Sequence, residues 1–437
     1  MTTQTDQEQT DQEWEWETAG PVTLPRLGAW ERLEDDDAAM VLAHPAVPSG
    51  TFRPNLVLRI GDADGASLAT LSTRAVIATL QSLPQAHVVG HEEAVLSGVP
   101  ARRQKFTYTE AGQAVCVVRW FCIVGTQAIE FTCSFGPEQM TGMESLLYRM
   151  ASLARIEEAA GIPVTGAPEP AQDAMASEHL GRPLEDLSRI AAVQPYRSTG
   201  PIVGDAAYQL LLDSAARGGA GIAGRFRYRD EVAELAAAGL MERGGALTAQ
   251  ARHLLAPLDS GSFSFFVGAQ RADLATTIEV RVGAGGALLA SGPAPAVSPE
   301  ARVPKLGQLQ IDVVTAAQLP ATLVSWLGVG PAWSYIGEHV VLPQEAFADR
   351  LRTGSGEAPG EDDSLTRLWA QPWLGWTVQE TGTSSPQHTW LSAGSAGQHL
   401  VYTNTTGGVE LEPFASSAVW SVLARYVHDG LLRTGAR

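Results

Sequence analysis

Lysine is nearly missing from this 437-residue chain, where Lys105 and Lys305 are the only two. With 30 Lys plus Arg against 48 Asp plus Glu, the formal net charge is −18. The densest basic cluster is Arg102-Arg103-Gln104-Lys105. Nucleic acid and anionic lipid surfaces both need a basic face, so neither is an expected partner. Cysteine is scarce too. Cys116, Cys122 and Cys133 are odd in number and set in strand-like apolar surroundings, which fits a reducing cytosol better than a disulfide framework. No apolar run approaches the roughly 20 residues that span a bilayer, and the acidic start lacks the pattern of a signal peptide. The expectation is a cytoplasmic protein with no membrane insertion.

Catalytic signatures are also wanting. There is no G-x-S-x-G and no P-loop. Gly219-Ala220-Gly221-Ile222-Ala223-Gly224 matches G-x-G-x-x-G but follows a predicted helix instead of a strand, so the dinucleotide-binding context is absent. The nine histidines are scattered. On a strand, His87 and His91 would share a face about 13 Å apart, too far for one metal. His388 and His399 fall on neighbouring predicted strands and could meet. The acidic groups Glu34–Asp37 and Glu361–Asp363 lack the ligand spacing of a calcium loop. No catalytic residue, metal or cofactor is therefore expected, and the chain does not read as an enzyme.

What the chain does have is a repeat. Gly307 to Leu327 reads GQLQIDVVTAAQLPATLVSWL, and Gly407 to Val427 reads GGVELEPFASSAVWSVLARYV. Leu319, Leu323, Trp326 and Leu327 align with Val419, Leu423, Tyr426 and Val427. Each copy is a short alternating strand, a polar corner and a helix with apolar residues three and four apart. The repeat extends outward, as helix, proline, three or four antiparallel strands and helix written twice. Gly283–Gly286 and Gly394–Gly397 join the last strands of each half.

Taken in order, residues 1–20 carry six acidic residues and no basic one, which predicts a disordered acidic tail. Trp14 and Trp16 are odd in it. Residues 21–157 predict one α+β domain, an antiparallel sheet with helices on one face. Ser67 caps its first helix and Pro137 opens its last. Strands are predicted at 86–96, 101–109, 114–124 and 127–135. Residues 158–200, rich in proline and glycine, form a linker with a short helix around 184–193. Residues 201–433 hold the duplicated part, an antiparallel sheet flanked by helical subdomains.

Phe52-Arg53-Pro54-Asn55-Leu56, Leu96-Ser97-Gly98-Val99-Pro100-Ala101 and the two strands around Cys116 and Phe131 resemble the LpqN and PsbP-like family. LpqN relatives are often lipoproteins, whereas this chain shows no lipobox. Ala237-Ala238-Gly239-Leu240, Ala251 to Pro257 and Gly407 to Val427 are similar to the EspG family, cytosolic chaperones of actinobacterial type VII (ESX) secretion. That resemblance implies a quasi-two-fold protein that binds the apolar tip of a helical secretion substrate and keeps it soluble. Seven of the eleven tryptophans follow residue 325. Trp333, Tyr335, Trp373 and Trp376, in contexts rich in Gly and Pro, are the candidate partner-binding residues. The expected partner is a helical secreted protein; no feature sets the oligomeric state. The alternative is a ligand-binding or regulatory sensor with a winged-helix-like segment at 205–258.

Overall fold

The computed structural model describes residues 14–157, 187, 190, 194, 196–258, 263–272, 274–283, 286–295, 303–332, 340–382, 388–405 and 407–434. The chain divides into two compact units, Met1–Leu187 and Ser188–Arg437, and both are α+β with antiparallel sheets. Most of the expected linker lies outside the described residues.

Unit 1 holds strands β1 (Trp14–Ala19) and β2 (Val22–Leu27), which form a small sheet with β10 (Arg155–Ile156). Its main sheet has seven strands: β3 (Glu31–Leu33), β4 (Met40–Ala43), β5 (Asn55–Asp62), β6 (His87–Leu96), β7 (Val99–Glu110), β8 (Gln113–Val124) and β9 (Gln127–Phe135). Their spatial order is β3-β4-β5-β9-β8-β7-β6. Two helices pack on it, α1 (Leu68–Ser82) and α2 (Met140–Ser152). The Ser67 side chain accepts from the Thr70 amide and so satisfies one of the four free N–H groups that open α1. S67A should lower the stability of unit 1 by about 1 kcal/mol, read as a shifted urea midpoint.

The expected tail is corrected at its second half. Trp14-Glu15-Trp16-Glu17 alternates as a strand does, and β1 pairs with β2 from Trp14↔Leu27 to Ala19↔Val22. Arg26 and Arg32 both donate to Glu17 at 2.9 Å and hold its carboxyl below the usual carboxylate range. The Arg155 guanidinium stacks 4.0 Å over the Trp16 ring. Cations from later strands thus offset the charge that suggested disorder. Residues 1–13 of that tail lie outside the described residues.

The placement of helices on one face is corrected as well. Gln104 donates to the Ser72 carbonyl of α1 at 2.6 Å, while the next residue, Lys105, donates to Glu144 of α2 at 2.5 Å. Successive strand residues point to opposite faces, so α1 and α2 cover opposite faces of the sheet. Burial on both sides explains why β8 reads as a nearly unbroken apolar run, Ala114-Val115-Cys116-Val117-Val118. His87 and His91 do not share a face either. A bulge between Val88 and Gly90 leaves His87 opposite Thr107 and His91 opposite Gln104. One extra residue inverts the alternation.

Unit 2 is built on one ten-stranded antiparallel sheet. Its strands are β11 (Ile202–Gly204), β12 (Phe263–Arg271), β13 (Leu274–Gly283), β14 (Gly286–Ser291), β15 (Gln308–Val314), β16 (Val340–Leu342), β17 (Leu374–Glu380), β18 (His388–Ser392), β19 (Gln398–Thr403) and β20 (Val409–Phe414). The order is β11-β15-β14-β13-β12-β17-β18-β19-β20-β16. Read outward from the central β12–β17 pair, the two sides are the same sequence of roles, which is the quasi-two-fold duplication. The repeated strands are β15 and β20. The helices that follow them, α7 (Leu319–Leu327) and α10 (Ser416–Thr434), pack against each other. Leu319, Leu323, Trp326 and Leu327 are all buried, as are Val419, Leu423, Tyr426 and Val427.

Each half carries its own helical subdomain. Helices α3 (Asp205–Arg217), α4 (Gly221–Arg227), α5 (Arg229–Ala237) and α6 (Ala249–Leu255) pack on β14 and β15 through Tyr208, Leu211, Leu235, Leu288 and Ile311. Helices α8 (Gln344–Thr353) and α9 (Asp363–Ala370) pack on β18 and β20 through Phe347, Leu368, Trp369, Leu391 and Leu411. The G-x-G-x-x-G run joins α3 to α4. Gly219 sits there at φ +146°, where a Cβ would stand 2.9 Å from the Gly245 carbonyl oxygen. The glycines serve a tight helix–helix turn pinned by the Ala220 amide to Gly245.

Candidate functional site

The central strands of unit 2 have two unlike faces. On one, Phe263, Phe265, Val267, Ile278, Val280, Val282, Trp376, Val378 and Trp390 are buried. Tyr426 of α10 meets the Phe263 and Phe265 rings at 5.5 and 5.1 Å, and Trp326 of α7 donates to the Gly292 carbonyl at 3.4 Å. The repeat helices therefore roof this face.

On the opposite face, the alternate residues of the same strands are exposed or half-buried. They include Ser264, Phe266, Gly268 and Gln270 on β12, Ala275, Thr277 and Glu279 on β13, and Thr377 and Gln379 on β17. Towards both ends of the sheet this face turns apolar and closes, with Leu288, Ala290 and Ile311 under the first helical subdomain and Leu391, Val409 and Leu411 under the second. The result is an open trough at the quasi-two-fold axis, floored by the sheet centre and walled by two groups of helices. Phe266 stands in the floor at 36% exposure, the one large aromatic residue among those alternate positions.

The walls have distinct chemistry. On the first, Arg281 donates to Glu279 at 2.6 Å beside Tyr208 of α3, whose hydroxyl pKa is pushed up by burial and by the Glu279 charge. On the second, Gly375 of β17 lets α8 approach, since a Cβ there would stand 3.1 Å from Leu351. Arg350 of α8 donates to the Trp369 and Gln371 carbonyls at 2.7 and 2.8 Å, which fastens α8 to the end of α9. The floor offers hydroxyls, amides and one phenyl ring, an assortment suited to non-covalent recognition.

Among the sequence-based candidates, Trp333 and Tyr335 lie outside the described residues. The surface role expected of Trp373 and Trp376 is corrected. Trp373 is 5% exposed, meets Trp369 at 4.8 Å and Phe347 at 5.6 Å, and donates to the Leu368 carbonyl at 3.0 Å. Trp376 is 1% exposed and stacks on Trp390 at 5.4 Å on the roofed face. Both are core residues, because the glycines and prolines around them let helices approach the sheet instead of exposing rings. Phe266 was not singled out by sequence reasoning. Its signal was present in Phe263-Ser264-Phe265-Phe266-Val267-Gly268, where the polar or small alternates mark a face that no helix needs to cover.

His388 and His399 do not meet. His399 pairs with Leu391, three residues beyond His388 along β18. Among the described residues no group of three His, Cys, Asp or Glu side chains could hold a metal ion. Burial lowers the His399 pKa from 6.5 to about 4. A histidine kept neutral in the fold but free to protonate when unfolded favours unfolding in acid. Its contribution is fully present above pH 6.5 and is lost progressively as pH falls from 6.5 towards 4. Between pH 7 and pH 5, unit 2 should lose about 2 kcal/mol more than an H399N variant does, measured as paired urea denaturation curves.

No protein-family model matches the sequence, and no curated protein matches it. Similar solved structures include LpqN of Mycobacterium tuberculosis, described as involved in cell envelope biogenesis, at 14% identity and a TM-score of 0.28 over 34% of this chain and 93% of that one. Cyanobacterial PsbP of Synechocystis aligns at 13% identity and a TM-score of 0.28, over 33% of this chain and 92% of that one. A protein of Bacteroides thetaiotaomicron aligns at 12% identity and a TM-score of 0.23, over 60% and 82%. No helix among the described residues is long and apolar enough to cross a membrane.

Proposed function

We propose that the protein is a non-catalytic chaperone or adaptor that receives a helical secreted protein, of the type VII (ESX) secretion class, in the cytoplasm. The open trough of unit 2 carries this reading. A sheet whose two ends lie under helices, while Phe266 and the residues around it at the centre stay exposed or half-buried, offers an open face between helical walls, and helix-in-groove docking is a common mode of recognition. The duplication that builds the trough is also the feature on which the EspG resemblance rests. Phe266 serves as the central anchor, and Thr277, Thr377 and Gln379 supply adaptable hydrogen bonds around it.

Co-expression with a helical secreted protein encoded beside this one tests the reading. The partner should be more soluble in the presence of this chain and should co-purify with it. F266S should abolish co-purification while shifting the urea midpoint far less than truncation of a core residue such as Trp376 does. A partner equally soluble alone that never co-purifies contradicts the proposal.

The sensor alternative draws on the order α3, α4, α5, ribbon, α6, in which Met241 and Leu247 form the small bridge. The helix in the reading position, α5, carries Asp230, Glu231 and Glu234 against Arg229. An acidic helix is ill-suited to a DNA groove, so the chaperone reading is favoured.

A further inference from the structure

The first helical subdomain displays a second feature, separate from the trough. Arg225-Phe226-Arg227-Tyr228-Arg229 alternates cation and aromatic across the junction of α4 and α5. In a chain of net charge −18 this run stands out because the other basic cluster is used internally. Arg103 is buried against Glu92 and Lys105 against Glu144. Phe226, by contrast, is 82% exposed, the highest value among the large hydrophobic residues described. Arg227 and Arg229 are exposed and form no ion pair among the described residues.

The strip is held in place from beneath. Tyr228 packs partly buried against the core of the helical subdomain, its amide bonds to the Gly224 carbonyl at 2.8 Å, and the Arg227 guanidinium lies 5.3 Å from its ring centroid. The turn before α4 is fixed by the Ala220-to-Gly245 hydrogen bond at 2.9 Å. One aromatic is thus the anchor and the other is presented to solvent, next to the exposed Arg227. A lone phenyl ring gains by leaving water, and arginines gain from carboxylates that match their fork.

We propose that this strip is a docking site for an acidic segment of a protein partner, one that brings at least one apolar side chain to Phe226 and carboxylates to Arg227 and Arg229. Charge complementarity selects the acidic partner, and the exposed ring selects one with an apolar contact. A nucleic acid is disfavoured. Asp230, Glu231 and Glu234 follow directly on α5, and a long polyanion meets the repulsion of the whole acidic chain. A short segment meets Asp230 and Glu231 as well, but it escapes most of the remaining negative charge of the chain, which lies beyond a Debye length, about 8 Å at physiological salt.

A random peptide display library panned on the full-length protein tests the site. Enriched peptides should be net negative with an apolar residue among the acids. The best of them, synthesised, should bind F226A and R227E/R229E at least tenfold more weakly. F266S should bind it unchanged, which separates this site from the trough, and the urea midpoints of F226A and R227E/R229E should match the parent. The inference is overturned by a library that yields no enrichment or no acidic bias, by peptides that bind F226A as tightly as the parent, or by a short DNA duplex that outcompetes the peptide at the same residues.

Discussion

K105M, with Glu144 left in place, should cost unit 1 about 3–5 kcal/mol, because it leaves a carboxylate buried without its nearest cation. Lys105 is 1% exposed on β7, and its ammonium lies 2.5 Å from Glu144 of α2. The pair does not stand alone. One turn on from Glu144, Tyr148 meets Trp120 edge-on at 4.9 Å and lies under the Arg103 guanidinium at 5.3 Å, and Arg103 in turn pairs with Glu92 at 2.9 Å. Burial pushes the Tyr148 hydroxyl pKa well above its ordinary value, so the ring stays neutral between the charged groups. The double variant K105M/E144L should recover most of the loss, since a buried ion pair is worth little over an apolar pair of similar size. Chemical denaturation followed by far-ultraviolet circular dichroism reads both. A loss below about 1 kcal/mol for K105M alone would mean that α2 is not held by this pair.

W376A should destabilise unit 2 by about 3–5 kcal/mol, the cost of emptying a large aromatic site in a packed core. Trp376 and Trp390 lie nearly parallel, 9° between ring planes, at a point where β17 meets β18 directly opposite. Phe414 closes the cluster edge-on at 5.2 Å from Trp390, and the Trp376 indole donates to Ser392 at 3.1 Å. A partner anchor would behave differently on truncation, leaving the urea midpoint unchanged while binding is lost. The two outcomes therefore separate the core role from the surface role first expected of this residue.

The duplication was legible because it is written in core residues. Leu319, Leu323 and Trp326 must face the same neighbours as Val419, Leu423 and Tyr426, so packing keeps their spacing visible. Strand alternation likewise told which residues of β12 and β13 share a face. It did not tell which face the helices would choose. The bare one, with Phe266, is recognised only once α7 and α10 are placed on the other. In unit 1 the near-continuous apolar run of β8 implies burial on both sides, and with it helices on opposite faces of the sheet. Trp14 and Trp16 were misjudged for a related reason. Local composition reports charge, while the cations that neutralise it, Arg26, Arg32 and Arg155, arrive from elsewhere in the chain. Trp373 sits among turn residues, yet Arg350, Trp369 and Phe347 enclose it.

The central claim is that the bare sheet centre is where a helical partner lies. A photo-cross-linking amino acid placed at Thr277, in the trough, should capture the co-expressed helical secreted protein in high yield. The same group at Glu410, near one end of the sheet on its opposite face, should capture little. Equal capture at the two positions, or capture at Glu410 alone, would contradict the account.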